Sequence, residues 1–201
     1  MKEIFIVIAL FSMISTSILA DTSPKDKPAK DFNIISIWGG WNFSISTKYD
    51  TLLDDLGADV SGRKLNTNMV IGGIDYWRGN KFQYGLSVAY VGLYTSDFTI
   101  SASPYSIVKG NIASLFQIRY FINFFYIGLG TGFGFDIATV KGNDTSITGR
   151  SKSGIAECLL AGVQIEIGKN FLIDVGAKGY FIFTDAFYIN IAPHISFGIK
   201  F

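Results

Sequence analysis

The chain has few of the residues that form disulfides and metal sites. Its 201 residues include one cysteine, one histidine and four prolines, and 16% of them are charged, with a formal net charge of +1. One cysteine excludes an internal disulfide, and one Cys with one His provides too few ligands for a Cys/His zinc site. The near-zero net charge gives no electrostatic reason to expect a nucleic-acid partner. We therefore predict no cofactor, no metal and no nucleic acid.

Apolar and aromatic residues are abundant instead. The chain is 49% hydrophobic, and its mean hydropathy of +0.34 excludes a disordered chain. It contains 18 Phe, 10 Tyr and 22 Gly, which together with the scarcity of proline favours β structure. The length fits one domain or two small ones.

The first residues have the layout of a secretory signal peptide. Lys2 gives a short basic start, residues 4–13 form an apolar run, and Ala20 suits the last position before cleavage. The apolar run is short for a membrane-spanning helix. Residues 21–31 are polar, contain two prolines and predict a flexible leader. We assign residues 1–20 to the signal peptide and residues 32–201 to one β domain.

From Ile34 onward the apolar residues recur with a period of two, most clearly in the last segment. One parity is apolar throughout: Phe187, Ile189, Ile191, Pro193, Ile195, Phe197, Ile199 and Phe201. The other parity is mainly small or polar: Tyr188, Asn190, Ala192, His194, Ser196, Gly198 and Lys200. Successive side chains of a strand point to opposite faces, so this segment is predicted to be a long strand with one apolar face.

The same alternation occurs eight times and predicts eight antiparallel strands. Tight turns are predicted at residues 78–81, around Asn123 and at 168–170, and a short connection at 184–186. Long loops are predicted at residues 47–68, 95–105 and 139–153. Strands joined in this order make an up-and-down meander, and closing it into a barrel removes both edges. The predicted fold class is all-β, an eight-stranded antiparallel up-and-down barrel.

The composition of the two faces predicts which one points outward. The polar parity carries mainly Gly, Ser, Ala, Asn and Gln, with about one charge per strand, whereas a water-facing surface is rich in charge. The apolar parity carries aromatic residues near several strand ends, as a membrane barrel does at its two interfaces. We therefore expect a transmembrane barrel with the apolar face in lipid, rather than a lipocalin-type barrel around a ligand.

Charged residues on the enclosed parity nearly balance in sign. In a narrow lumen they must be paired, so an internal network of ion pairs and hydrogen bonds is predicted to plug the barrel. The predicted network consists of Asp75, Arg119, Asp136, Glu166, Asp174, Lys178, His194 and Lys200. His194 and Cys158 lie on this parity too, and we interpret both as structural; no catalytic residue is predicted.

These features resemble the small outer-membrane β-barrel proteins of diderm bacteria, the OmpA/OmpX type. The resemblance covers about residues 32–201 and implies a place in the bacterial outer membrane, among its lipids. It also implies a periplasmic leader and tight turns, with the long loops outside. The terminal Phe201, preceded by Phe197 and Ile199, resembles the signal that such proteins present to the barrel-assembly machinery.

The leading functional hypothesis is a non-enzymatic outer-membrane protein. It would have a structural role, or meet an extracellular ligand through its loops. A narrow channel for small hydrophobic or ionic solutes is the alternative. A lipid-modifying envelope enzyme and a soluble lipocalin-like carrier are weaker readings.

Overall fold

A computed structural model describes residues 31–46, 65–66, 68–100, 103–142, 146–184 and 187–201. Its strands are β1 Phe32–Ser46, β2 Leu65–Asn66, β3 Asn68–Gly79, β4 Phe82–Ile100, β5 Ser103–Ile122, β6 Phe125–Lys141, β7 Ser146–Ile167, β8 Phe171–Phe183 and β9 Phe187–Lys200. Over the described residues, no helix has the length and apolar character needed to cross a membrane. The signal peptide prediction, nearly all of the leader prediction and residues 47–64 lie outside the described residues.

The long strands form one closed antiparallel sheet. Each of β1 and β3 to β9 pairs with its neighbours along the chain, and β9 pairs with β1 to complete the ring. The two-residue β2 pairs with β4 beside the start of β3. The prediction of an eight-stranded antiparallel up-and-down barrel is therefore confirmed, with β2 as a short addition.

Tight turns join the strands at one end of the barrel, which we call the turn end. Gly79, Asn123 and Gly168 adopt positive φ angles of 124°, 60° and 66° in these turns. Glycine and asparagine tolerate this region, which most residues avoid because of their Cβ atoms. The predicted tight turns therefore lie where the strands reverse. The first strand, β1, begins at the turn end, and the last strand, β9, ends there.

The apolar parity faces outward, as predicted. In β1, Ile37 is 64% exposed while its neighbour Trp38 is 3% exposed. In β9, Ile191, Ile195 and Phe197 are exposed, whereas the intervening side chains are buried. A surface of this kind is unfavourable in water and is solvated by hydrocarbon.

Exposed aromatic residues bound this apolar surface at both ends. Phe82 and Phe171 lie near the turn end, and Trp41, Tyr90 and Phe133 lie near the other. At about 3.3 Å per residue, β4 rises about 26 Å from Phe82 to Tyr90, and a tilt of about 40° reduces this to about 20 Å along the barrel axis. That height approaches the apolar band of about 25 Å typical of outer-membrane barrels.

The predictions of long loops at 95–105 and 139–153 are wrong. β4 and β5 remain paired as far as Ile100 and Ser103, and β6 and β7 as far as Lys141 and Ser146. These segments contain five Thr together with Ile, Val, Phe and Tyr residues, all of which favour extended structure, so hairpins form where irregular loops were expected. The ring of Phe98 stacks on Tyr105 at 5.8 Å between centroids and supports one hairpin. We call the end of the barrel that these strand extensions form the tall end.

A β-bulge in β4 changes which parity faces inward. The register between β4 and β5 shifts between Gly92 and Tyr94, so Leu93 is an extra residue on β4. Beyond the bulge, even-numbered residues face the interior, and Tyr94 is 2% exposed. Simple alternation from Phe82 to Tyr90 predicts Tyr94 in the outer aromatic band, and that prediction is wrong.

Candidate functional site

The interior near the turn end contains a cluster around Asp174 of β8. The guanidinium of Arg119 in β5 lies 3.2 Å from the Asp174 carboxylate, and the hydroxyl of Tyr126 donates to that carboxylate at 2.7 Å. His194 Nε2 lies 3.4 Å from the same carboxylate. Arg119 Nε also donates to the Gln83 side chain at 2.8 Å. Three strands besides β8 therefore converge on one buried carboxylate, and β4 joins the cluster through the bond between Gln83 and Arg119.

A second buried ion pair lies beside it. Lys178 Nζ is 2.8 Å from the Asp75 carboxylate, which also accepts hydrogen bonds from the Trp38 indole at 2.9 Å and from the Ser87 hydroxyl. Lys178 lies 3.8 Å from the centre of the Trp38 ring. Charge pairing, hydrogen bonds and ring contact together compensate for the water that these groups lose.

A third polar cluster lies towards the tall end. Asp136 of β6 lies 3.4 Å from Lys109 Nζ, and it accepts hydrogen bonds from Asn111 and Thr184 at 2.8 Å each. The Lys109 ammonium also lies 5.3 Å from the ring centre of Tyr188. The predicted network lacks Lys109, because the alternation along β5 is clear only from Phe116 onward. Extending the parity of Arg119 back along β5 would have placed Lys109 inside.

Glu166 and Lys200 form a pair that is separate from these clusters. Lys200 Nζ is 2.7 Å from the Glu166 carboxylate, but the two side chains are 20% and 53% exposed respectively. The pair lies at the rim of the turn end, because both residues are close to the ends of their strands. Six of the eight residues predicted for the network are thus buried in the interior, and these two are not.

Side chains fill the interior between the clusters. Arg119 lies 4.1 Å from the centre of the Trp77 ring, and Trp38 meets His194 edge-on at 5.6 Å. A cavity lined by Arg119, Asp174 and other side chains leaves about 10 Å³ for the centre of a water molecule, which is room for about one. The arrangement joins strands across the barrel and leaves little room for a solute. Within the described residues, no three His, Cys, Asp or Glu side chains group as metal ligands.

The C-terminal residues lie on the outer surface beside β1. Phe197, Ile199 and Phe201 are exposed on the apolar face. The backbone N–H of Phe201 donates to the Asn33 carbonyl, and the Asn33 N–H donates to the Phe201 carbonyl, both at 2.9 Å. The last residue thus takes part in closing the barrel, and its role as an assembly signal stays a prediction.

Comparisons with known proteins agree with this architecture. No protein-family model matches the chain, and no curated protein matches it. The chain resembles Ail, the attachment invasion locus protein of Yersinia pestis, in its crystal structure with the heparin analogue sucrose octasulfate. The TM-score is 0.54 at 17% identity, covering 86% of this chain and 100% of that chain.

Two further solved structures are similar to the chain at lower scores. Neisserial surface protein A has a TM-score of 0.49 at 12% identity, covering 86% of this chain and 100% of that chain. OprG from Pseudomonas aeruginosa has a TM-score of 0.43 at 16% identity, covering 87% and 97% respectively. The likeness to Ail shows that the chain has the fold of the small eight-stranded outer-membrane β-barrels.

Proposed function

We propose that the protein is a non-enzymatic outer-membrane barrel whose lumen is closed, and that it acts through the strands that extend beyond the membrane. The observation that carries the first part is the filled interior. Arg119 and Lys178 each pair with a buried aspartate and lie against an aromatic ring. A solute crossing the lumen would have to separate these pairs.

Separating the pairs is costly because the charges are enclosed. An uncompensated charge in a buried position destabilises a protein by several kcal/mol, typically about 3–5 kcal/mol. The cavity lined by Arg119 and Asp174 has room for about one water molecule. The network of buried ion pairs therefore stabilises the barrel and opposes the passage of a solute through the lumen.

The second part of the proposal rests on the unequal height of the barrel wall. We use the name tall sheet for residues 94–100 of β4, 103–109 of β5, 137–141 of β6 and 146–154 of β7. On the opposite side, β8 and β9 already meet at Phe183 and Phe187. The tall sheet lies beyond the aromatic band at Tyr90 and Phe133, and the resemblance to the outer-membrane family supports an extracellular position for this end. It gives the protein a surface that an external partner can contact.

Conductance in planar lipid bilayers tests the closed lumen. We expect the folded protein to insert without discrete current steps. The double variant Arg119→Ser, Asp174→Ser removes the bulkiest of the buried ion pairs together with most of its side-chain volume. If this pair blocks the lumen, the variant should show discrete current steps. Glu166→Gln, at the exposed rim pair, is the matched control and should stay silent. Discrete steps from the unmodified protein would contradict the proposal and favour the narrow channel.

A further inference from the structure

A single carboxylate interrupts the apolar outer face of β7. Ile155 and Leu159 face outward and are 53% and 44% exposed, and the residues on either side of Glu157 are buried in the interior. Glu157 is half-buried and shares the outward parity of Ile155 and Leu159. Apart from Arg78 beside the turn after β3, it is the only charged side chain that the described strands place outward between the two aromatic bands.

Glu157 lies just inside the aromatic band of the tall end. It is paired with Thr131 of β6 and with Phe181 of β8. The next outward pair along β6 and β7 joins Phe133, a member of that band, to Ile155. At about 3.3 Å per residue and a tilt of about 40°, this step of two residues places Glu157 about 5 Å from the band along the barrel axis. Aromatic bands lie at the level of the lipid headgroups, so the carboxylate lies close beneath the lipid phosphates.

Glu157 differs from the aspartates of the interior in its lack of a paired cation among the described residues. Asp75, Asp136 and Asp174 each have an ammonium or guanidinium group within 3.4 Å, whereas no such group of the described chain lies within ion-pair distance of Glu157. Charged side chains that face lipid are rare and often mark a functional contact. A carboxylate and a lipid phosphate repel each other unless a cation lies between them.

The oxygen atoms at this position suit a hard divalent cation. Thr131 is exposed and directly opposite Glu157, and the Cβ atoms of such a pair lie about 4.5–5.5 Å apart. Carboxylate and hydroxyl oxygens favour Mg²⁺ and Ca²⁺. Proteins commonly hold Mg²⁺ through one or two carboxylates together with the phosphates of a ligand. Since the described residues contain no group of three His, Cys, Asp or Glu side chains, the remaining ligands would be lipid phosphate and water.

We propose that Glu157 and Thr131 hold a divalent cation of the Mg²⁺ class, which bridges the barrel to the phosphate of a lipid at the tall end. The inference goes beyond the proposed function but rests on its membrane placement, because the lipid supplies part of the site. The cation would neutralise the carboxylate and remove its repulsion of the phosphate. The barrel would thereby retain one lipid at a defined position on β6 and β7.

Paramagnetic broadening by Mn²⁺, which also prefers oxygen ligands, locates the cation. The full-length barrel carries ¹³C-labelled Ile, Leu and Val methyl groups and is placed in phosphatidylglycerol nanodiscs, a lipid with a phosphate and no ammonium. We expect the Ile155 and Leu159 methyl signals to broaden at about tenfold less Mn²⁺ than those of Val70, which is exposed beside Trp41 on the opposite wall. Excess Mg²⁺ should reverse the broadening. Equal broadening of all three would show general attraction to the lipid surface and would overturn the inference.

Two variants separate the site from the surrounding charge. Glu157→Gln retains the size of the side chain and should remove the preference of Mn²⁺ for Ile155 and Leu159. Asp97→Asn, at an exposed carboxylate of the tall sheet, is the matched control and should leave the preference unchanged. The shift in gel migration on heating checks that both variants are folded. A preference that survives in folded Glu157→Gln would show that this carboxylate is not the ligand.

A change of lipid tests where the other ligands come from. In maltoside micelles, which have no phosphate, the Mn²⁺ concentration that broadens Ile155 should rise about tenfold, and an unchanged concentration would contradict the bridge to lipid. Loss of the preference in phosphatidylethanolamine nanodiscs would identify a lipid ammonium as the occupant and would overturn the metal site. If the preference is absent throughout while the bilayer recordings stay silent, the cation site is wrong and the closed-barrel proposal stands.

Discussion

Replacing Asp174 with alanine is expected to lower the free energy of unfolding by about 3–5 kcal/mol, because it leaves the buried Arg119 without its charge partner. The same change removes the acceptor of the Tyr126 hydroxyl. Equilibrium unfolding by urea in lipid vesicles, followed by tryptophan fluorescence, measures the loss. It is the larger of the two effects on stability that we expect.

Two further variants separate this effect from a general sensitivity of the barrel. Glu166→Ala removes an exposed pair at the rim and should cost less than about 1 kcal/mol. The double variant Arg119→Met, Asp174→Leu removes both charges and should be more stable than Asp174→Ala alone. If Asp174→Ala and Glu166→Ala had equal effects, the lumen pair would not be the stabilising feature described above.

Replacing Gly40 with alanine is expected to destabilise the closed barrel by about 1–3 kcal/mol, the usual cost of overpacking. A Cβ atom at this position would clash with the Pro193 carbonyl oxygen and would lie 2.9 Å from the His194 Cα. Both contacts are with backbone atoms of β9, so the two strands would have to move apart. The shift in gel migration between unheated and boiled samples, measured against urea concentration, reports the loss of folded barrel.

Gly39 offers a neighbouring control. An added Cβ there would approach only the Ile71 carbonyl oxygen, at 3.8 Å, which is an ordinary contact. Gly39→Ala should therefore change stability by no more than about 0.5 kcal/mol. Equal behaviour of the two alanine variants would refute the close packing of β1 on β9.

The seam between β1 and β9 explains why Gly40 has this role. Pairing runs from Ile34 opposite Lys200 to Gly40 opposite His194, and resumes at Phe43 opposite Ile191. Trp41 and Asn42 lack a backbone pairing partner in β9 within the described residues, and Pro193, which lacks an N–H, lies beside them. The β1–β9 pairing therefore consists of two segments, residues 34–40 and 43–46 of β1, and Gly40 is the last residue of the first segment.

The alternation of residue types was sufficient to predict the faces of the barrel. A strand exposes every second side chain on one face, so the Ile and Phe positions of β9 could be assigned to lipid without any knowledge of tertiary contacts. The balance of charges on the other parity also pointed to buried pairs such as Arg119 with Asp174.

Other features depend on more than alternation. The bulge at Leu93 reverses the parity of β4, and nothing in the local pattern marks it, so alternation alone predicts the wrong face for Tyr94. Alternation predicts Glu166 in the interior, because parity gives the face of a residue but not its height along the barrel axis. The sequence predicts loops where hairpins form beyond Tyr90, because polar residues at a strand end look the same whether they are paired or not.

The most direct test of the account is a comparison of neighbouring positions by spin labelling in lipid vesicles. Single cysteines replace Ser36, Ile37, Ile195 and Ser196 in a Cys158→Ala background. Labels at positions 37 and 195 are expected to collide freely with oxygen dissolved in the lipid and little with a water-soluble nickel complex. Labels at positions 36 and 196 are expected to be shielded from both reagents. High oxygen collision at positions 36 and 196, with positions 37 and 195 shielded, would show that the apolar face points inward and would contradict the account.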